Sequence, residues 1–229
     1  VKTQSVRKLK EEPDLYSLFG VRYVEAGKTV VLHSNPGDLY TYDVYFGPQA
    51  VNVERGDSCF TISADLKTAE IKRGPLKFQS AVVATVVRGY APEDKTSGLA
   101  YGTNLPYVNG CSTRQVFPPE RPGDPTLQLL RIPPHSSEQA HHIHSTARVV
   151  YVLSGRGHSV VGMRDKFVRT ELKPGMICIL DSMCPHHFET GDEWLAVLPV
   201  HVWSSTGSIE NAHPMYQGTF MVNQGQSEE

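Results

Sequence analysis

From Val21 onward the chain is a succession of short apolar runs broken by Gly and Pro. "VRYVEAGKTVVLHS" and "DLYTYDVYFG" are rich in β-branched and aromatic residues and predict strands. "SCFTISADLKTAEIKRG" continues in short alternating runs. "FQSAVVATVVRGY" predicts a strand, although propensity alone would allow a helix over part of it. Residues 1–20 are charged and predict a short helix or two, interrupted at Pro13. The segment "VNGCSTRQVFPPERPGDPTLQ" carries Pro118, Pro119, Pro122 and Pro125. That density argues against regular structure, and we place a linker over 111–126. Strands then resume as "TLQLLRIPP", "ARVVYVLSG", "GHSVVGM", "FVRTEL", "MICILD", "HHFETG" and "WLAVLPVHVW". Evenly spaced short strands with turns between them predict an all-β sandwich or barrel. The expected layout is a strand-rich domain over 21–110, a second domain over 127–220 and a polar, frayed tail over 221–229.

Composition narrows the class of function. The 229 residues carry a net charge of -2, which argues against nucleic-acid or polyanion partners. No apolar run approaches the roughly 18 residues of a membrane span, and the charged N-terminus lacks the apolar core of a secretory signal. The cysteines Cys59, Cys111, Cys178 and Cys184 show no CxxC spacing. They read as reduced thiols of a cytoplasmic protein.

The histidines are concentrated. Only His33 precedes residue 135, and the other nine lie between His135 and His213. His142 and His144 are two apart on an expected strand, where side chains at i and i+2 share a face. A third ligand is available from "CPHHF", where His186 and His187 should point to opposite sides. His141 and His187 read as flanking residues, His158 as exposed after a turn, and His135 and His213 as loop residues. His201 sits in "LAVLPVHVW", where alternation could aim it into a barrel as a substrate-facing group.

These motifs resemble the cupin superfamily of small jelly-roll β-barrels. The family's first motif has His-x-His, a Glu four residues later and a Gly seven beyond that. His142, His144 and Gly155 fall into place, but Arg148 stands at the Glu position and Ser136 where a glycine is expected. In the second motif Gly175 and His186 match, while Asp181 and Met183 replace the family's Pro and Gly. The resemblance covers roughly 127–203. It implies that His142, His144 and His186 bind a divalent ion inside the barrel, with Fe(II) the first expectation and Zn, Ni or Mn as alternatives. It also implies that residues 21–110 are either a second, degenerate barrel or strands that cap the first and help form a homodimer.

Arg148 changes the expected chemistry. A guanidinium offers only donors and cannot ligate a cation. It could turn to a carboxylate or carbonyl, it could hold an anionic substrate over the metal, or the metal could be lost. A salt bridge from Arg148 to Asp181 would explain both departures at once. The candidate catalytic residues are Arg148, Tyr151 and His201, with Arg131 a further carboxylate partner or a surface residue. Cys184 reads as a buried inert thiol. Three-His cupins include thiol, diketone-cleaving and gentisate-type dioxygenases. The first expectation is therefore an Fe(II) dioxygenase of a small anionic or aromatic molecule. The alternatives are a Zn or Ni lyase, isomerase or cyclase, or a non-catalytic small-molecule-binding protein. The missing Glu argues against oxalate-type and quercetin-type mechanisms.

Overall fold

The computed structural model describes residues 18–36, 41–100, 102–121, 123–163 and 166–202. The helices expected over 1–20 and the tail over 221–229 lie outside these residues, apart from helical Leu18 and Phe19. No helix among the described residues is long and apolar enough to cross a membrane.

The C-terminal half is built from β10 (Leu105–Pro106), β11 (Ser112–Phe117), β12 (Thr126–Ile132), β13 (Arg148–Gly155), β14 (Gly157–Met163), β15 (Lys166–Leu172), β16 (Ile177–Leu180), β17 (His186–Glu189) and β18 (Leu195–His201). With β1 (Val21–Val24) on one edge, seven strands form a sheet in the order β1-β16-β13-β18-β12-β11-β10. A three-stranded sheet, β15-β14-β17, faces it.

Two boundaries differ from the sequence expectation. The first half of the expected linker is strand β11, hydrogen-bonded to β12 along its length. Its apolar Val116 and Phe117 are buried, and that burial outweighs the nearby prolines. Only the proline-dense stretch after it is irregular. At the other end, β1 belongs to the C-terminal sheet through its ladder with β16.

The N-terminal half comprises β2 (Val30–His33), β3 (Tyr42–Phe46), β4 (Gln49–Val53), β5 (Ser58–Ile62), β6 (Thr68–Arg73), β7 (Leu76–Ser80), β8 (Val83–Val87) and β9 (Lys95–Gly98). They form a six-stranded sheet, β2-β3-β8-β5-β6-β9, and a pair, β4-β7. The central orders of the two large sheets correspond. The order β16-β13-β18-β12 in one half has its counterpart in β6-β5-β8-β3 in the other. The difference lies between the middle strands. A hairpin, β14–β15, separates β13 from β16, whereas a short turn joins β5 to β6.

Strands of the large C-terminal sheet are buried on both faces, so they read as continuous apolar runs. On β13, Val149 and Tyr151 pack with Tyr42, Phe60 and Ile71 in a core shared by the two halves. Val150 and Val152 point the other way, into the barrel, with Leu130, Val161 and Phe188. This alternation decides which side chains can reach the site.

Candidate metal centre

His142 and His144 lie in the segment that leads into β13, and His186 opens β17. A single backbone bridge brings them together: His142 N–H donates to His186 O at 3.1 Å, and His186 N–H returns to His142 O at 2.9 Å. The ring nitrogens of His142, His144 and His186 that could serve as ligands all lie within 4.8 Å of one another. Two rings are oriented by the backbone. The Nδ1 of His142 lies 2.7 Å from Ala140 O and that of His186 2.7 Å from Cys184 O. A carbonyl only accepts, so each Nδ1 carries the hydrogen and each Nε2 keeps a lone pair. Metal-bound histidines are held in the same way. The Nε2 atoms of His142 and His144 stand 2.6 Å apart. Burial drives the His142 pKa down to about 4, despite its bond to Ala140, with Arg148 lowering it further. Burial also holds His186 well below the ordinary histidine value. Both rings are therefore neutral at neutral pH, as ligation requires. The donor set fits a divalent transition metal ion.

The surrounding cavity has a volume of about 20 Å³ and is lined by the three histidines together with Leu130, Glu138, Arg148, Val150, Phe188, Val197, Pro199 and His201. That is room for one or two waters. Arg148 faces this cavity. It is 5% exposed, and its Nη1 has no hydrogen-bond partner among the described residues. Burial pushes the guanidinium below its ordinary range, while Tyr107 and Glu138 draw it back up. His201 stands opposite Arg148 in the β13–β18 register, and its Nε2 likewise lacks a partner among the described residues. Burial and Arg148 keep this ring neutral.

Several expectations need correction. Tyr151 is not brought to the cavity, because it stands on the opposite face of β13 in the core shared with the N-terminal half. The Asp181–Arg148 bridge is not formed. Asp181 accepts from Asn35 Nδ2 at 2.8 Å and lies 3.8 Å from Arg22. Of the two readings of Arg131 the surface one holds: it lies over the Trp194 ring, 5.3 Å from its centroid. Cys184 is the buried thiol expected, and desolvation pushes it up to about 12. Met183, where the family has glycine, adopts a left-handed φ of 65°. Such a conformation costs a residue with a side chain about 1–2 kcal/mol.

The carboxylate near Arg148 is Glu138, which the sequence reading missed. It sits in "PPHSSEQAHH", a stretch with every sign of an exposed loop. The segment doubles back along β17, with Glu138 N–H bonded to Phe188 O and Phe188 N–H bonded to the Glu138 carboxylate. The side chain thus occupies a rung where a neighbouring strand would offer a carbonyl.

Burial raises the Glu138 pKa from 4.5 to about 8, against the pull of the Phe188, Glu138 and Gln139 N–H groups and Arg148. Between those values the folded chain holds a proton that the unfolded chain releases. Stability therefore falls as pH rises, by up to about 1.4 kcal/mol per pH unit. Glu138→Gln should remove this slope. Thermal melts of metal-free protein should show the variant gaining on the wild type from pH 5 to 8 and holding a constant lead above. Parallel curves would mean that Glu138 is ionised in the fold.

Residues 128–203 match the family model described as a cupin domain. No curated protein sequence matches the chain. Among solved structures, the chain is similar to a putative glyoxylate-induced protein from Pseudomonas aeruginosa, at 11% identity with 82% of each chain covered and a TM-score of 0.53. It is also similar to the polyketide cyclase RemF from Streptomyces resistomycificus, at 23% identity over 43% of this chain and 68% of that one, TM-score 0.37. A third likeness is to salicylate 1,2-dioxygenase from Pseudoaminobacter salicylatoxidans, at 11% identity over 78% and 76% of the two chains, TM-score 0.46. The matched segment 128–203, with its motif glycine Gly155 and the converging His142, His144 and His186, is the part of the chain that is similar to the cupin domain.

Proposed function

We propose that this protein is a metal-dependent cupin enzyme in which His142, His144 and His186 hold a divalent ion and Arg148 holds an anionic group of a small substrate beside it. The observation that carries this reading is the Arg148 Nη1, buried, unpartnered among the described residues and facing the cavity of the three histidines. A buried N–H of a cation left without a hydrogen-bond partner is costly, and an anion bound there would offset that cost. Three histidine ligands add no negative charge, so the ion and the guanidinium together favour a substrate that brings its own.

Fe(II) is the metal of first choice, which makes the reading an Fe(II) dioxygenase. A bound Fe(II) would supply open coordination positions for substrate and O₂. The chain's own residues perform the remaining tasks. Ala140 O and Cys184 O fix the ring orientations of His142 and His186. Arg148 orients the substrate through paired N–H donors suited to a carboxylate. His201 offers a neutral ring nitrogen on the same wall, and the apolar side chains of Leu130, Val150, Phe188 and Val197 exclude bulk water. We also read the N-terminal half as a second barrel without a metal site, on the strength of its matching strand order.

The test begins with anaerobic loading of Fe(II), Zn(II) or Ni(II) onto the purified chain. O₂ uptake is then measured with small thiols, diketones and hydroxylated acids. His144→Ala should weaken metal binding by more than the ~100-fold that loss of a supporting hydrogen bond can cost. Failure to retain any ion would end the reading. Tight Zn(II) binding without O₂ uptake would end its dioxygenase part.

A further inference from the structure

The backbone bridge between His142 and His186 has two faces. The inner one carries the ligands already described. On the outer one His141 stands across from His187, with ring centroids 5.1 Å apart. Because residues 142 and 186 exchange both backbone hydrogen bonds, the neighbouring rung is the non-hydrogen-bonded kind, where opposed side chains come closest.

The contacts of the outer nitrogens bear on the tautomers, and that of His141 is set by a carbonyl. His141 Nε2 lies 2.7 Å from Gly162 O, so that nitrogen carries the hydrogen. His187 Nε2 lies 3.5 Å from the Glu189 carboxylate, which likewise only accepts. The two Nδ1 atoms face each other across 2.9 Å, either sharing a hydrogen carried by His187 Nδ1 or, with that hydrogen on Nε2 toward Glu189, as two acceptors. In the second arrangement two lone pairs meet, and a metal ion between them relieves their repulsion. Metal-bound histidines show this arrangement, with the far N–H anchored on a carbonyl or carboxylate. With metal–nitrogen bonds of about 2.0–2.1 Å, a 2.9 Å separation subtends roughly a right angle at the ion. That is the angle between neighbouring ligands in octahedral or square-planar coordination.

The setting also suits an ion. His141, His187, Glu189 and Gln139 line an open cleft of about 770 Å³, separate from the inner cavity. Gln139 is 7% exposed, and its Nε2 has no partner among the described residues. Arg169 neutralises Glu189 at 2.7 Å, which leaves the two imidazoles as the principal donors.

We infer that His141 and His187 form a second, outward-facing site for a divalent transition-metal ion, with Gln139 beside them and open positions toward the cleft. The ion would clamp the segment before β13 to β17, the two pieces of chain that also carry the inner ligands. The inference does not require the inner site to be filled.

The full chain, stripped with chelator, is equilibrated with Zn(II), dialysed and assayed for bound metal. The wild type should hold one equivalent beyond the inner one. The double variant His141→Ala/His187→Ala should lose that equivalent and keep the inner ion, whereas His144→Ala should do the reverse. A chain holding one ion that only His144→Ala abolishes overturns the outer site and leaves the inner reading standing. Equal metal content in the wild type and the outer double variant also overturns it. A measurement on the wild type guards against misfolded variants. One equivalent of Cu(II), displacing Zn(II) from the open outer site of the loaded chain, should give an electron paramagnetic resonance spectrum with hyperfine coupling to two imidazole nitrogens. A spectrum without that coupling overturns the assignment.

Discussion

Arg148→Met should abolish anion binding in the inner cavity while tightening the hold on the divalent ion. Arg148 is the cavity's charged donor, and truncating one partner of a buried, hydrogen-bonded charge pair costs about 2–5 kcal/mol. That corresponds to about 30-fold to a few thousand-fold weaker binding of a small carboxylate. The same substitution removes a positive charge from beside the ion, so metal affinity should rise. Met is close in volume, and replacing a buried charge with a well-packed apolar side chain is neutral or stabilising by about 1–4 kcal/mol. Glu138 adds no penalty at neutral pH, because burial already favours its neutral form. Calorimetric titration of formate and acetate into metal-loaded protein reads the anion term, and competition with a chelator reads the metal term. Arg148→Lys should fall between, keeping the charge but losing the planar fork. Unchanged carboxylate binding in Arg148→Met would remove Arg148 from the site. A drop in metal affinity would show that the arginine braces the histidines.

Gly155→Ala should be among the most destabilising single substitutions in the chain. Gly155 has φ of 75°, and a Cβ there would stand 1.7 Å from Trp194 O and 2.7 Å from Trp194 C. These are backbone atoms where β18 begins, so no side-chain rotation relieves the overlap. The cost should exceed about 4 kcal/mol. For a chain of this size that is a fall in Tm of more than about 10 °C, or loss of folded protein. The damage would reach the site, because β13 carries Arg148 and β18 carries His201. Gly191→Ala is the matched control, since a Cβ there would meet nothing within 4 Å and its φ is not left-handed. A melting temperature for Gly155→Ala equal to that of the control would show that the β13–β14 turn can shift.

Much of the C-terminal half was legible because its strands are short, apolar and bounded by Gly and Pro. The motif spacing singled out His142, His144 and His186, whose ring nitrogens converge. What escaped the sequence depends on long-range pairing. Nothing within "PPHSSEQAHH" shows that Glu138 will be buried, because its burial comes from β17, some fifty residues away. Asp181 and Arg148 looked like partners because both depart from the family pattern, but Asn35 and Arg22 reach Asp181 from the other end of the chain. Tyr151 was placed by its neighbourhood in the motif. Its side of the strand depended on a second sheet that covers the outer face of β13. Prolines beside Ser112–Phe117 hid a strand whose partner, β12, is its next neighbour in the chain.

The edge strand β1 sets an order of events in biosynthesis. Its register places Val21 against Leu180, so its partner strand is made about 160 residues later. At typical synthesis rates of 5–20 residues per second, β1 waits about 10–30 s for a place to dock. Strands β2 to β9 pair only among themselves and can form in that interval. The site-bearing barrel cannot close its sheet until both ends of the described chain have been made. A fragment cut at the borders of the matched segment, 128–203, would leave both β16 and β12 as open edges and invite association between chains.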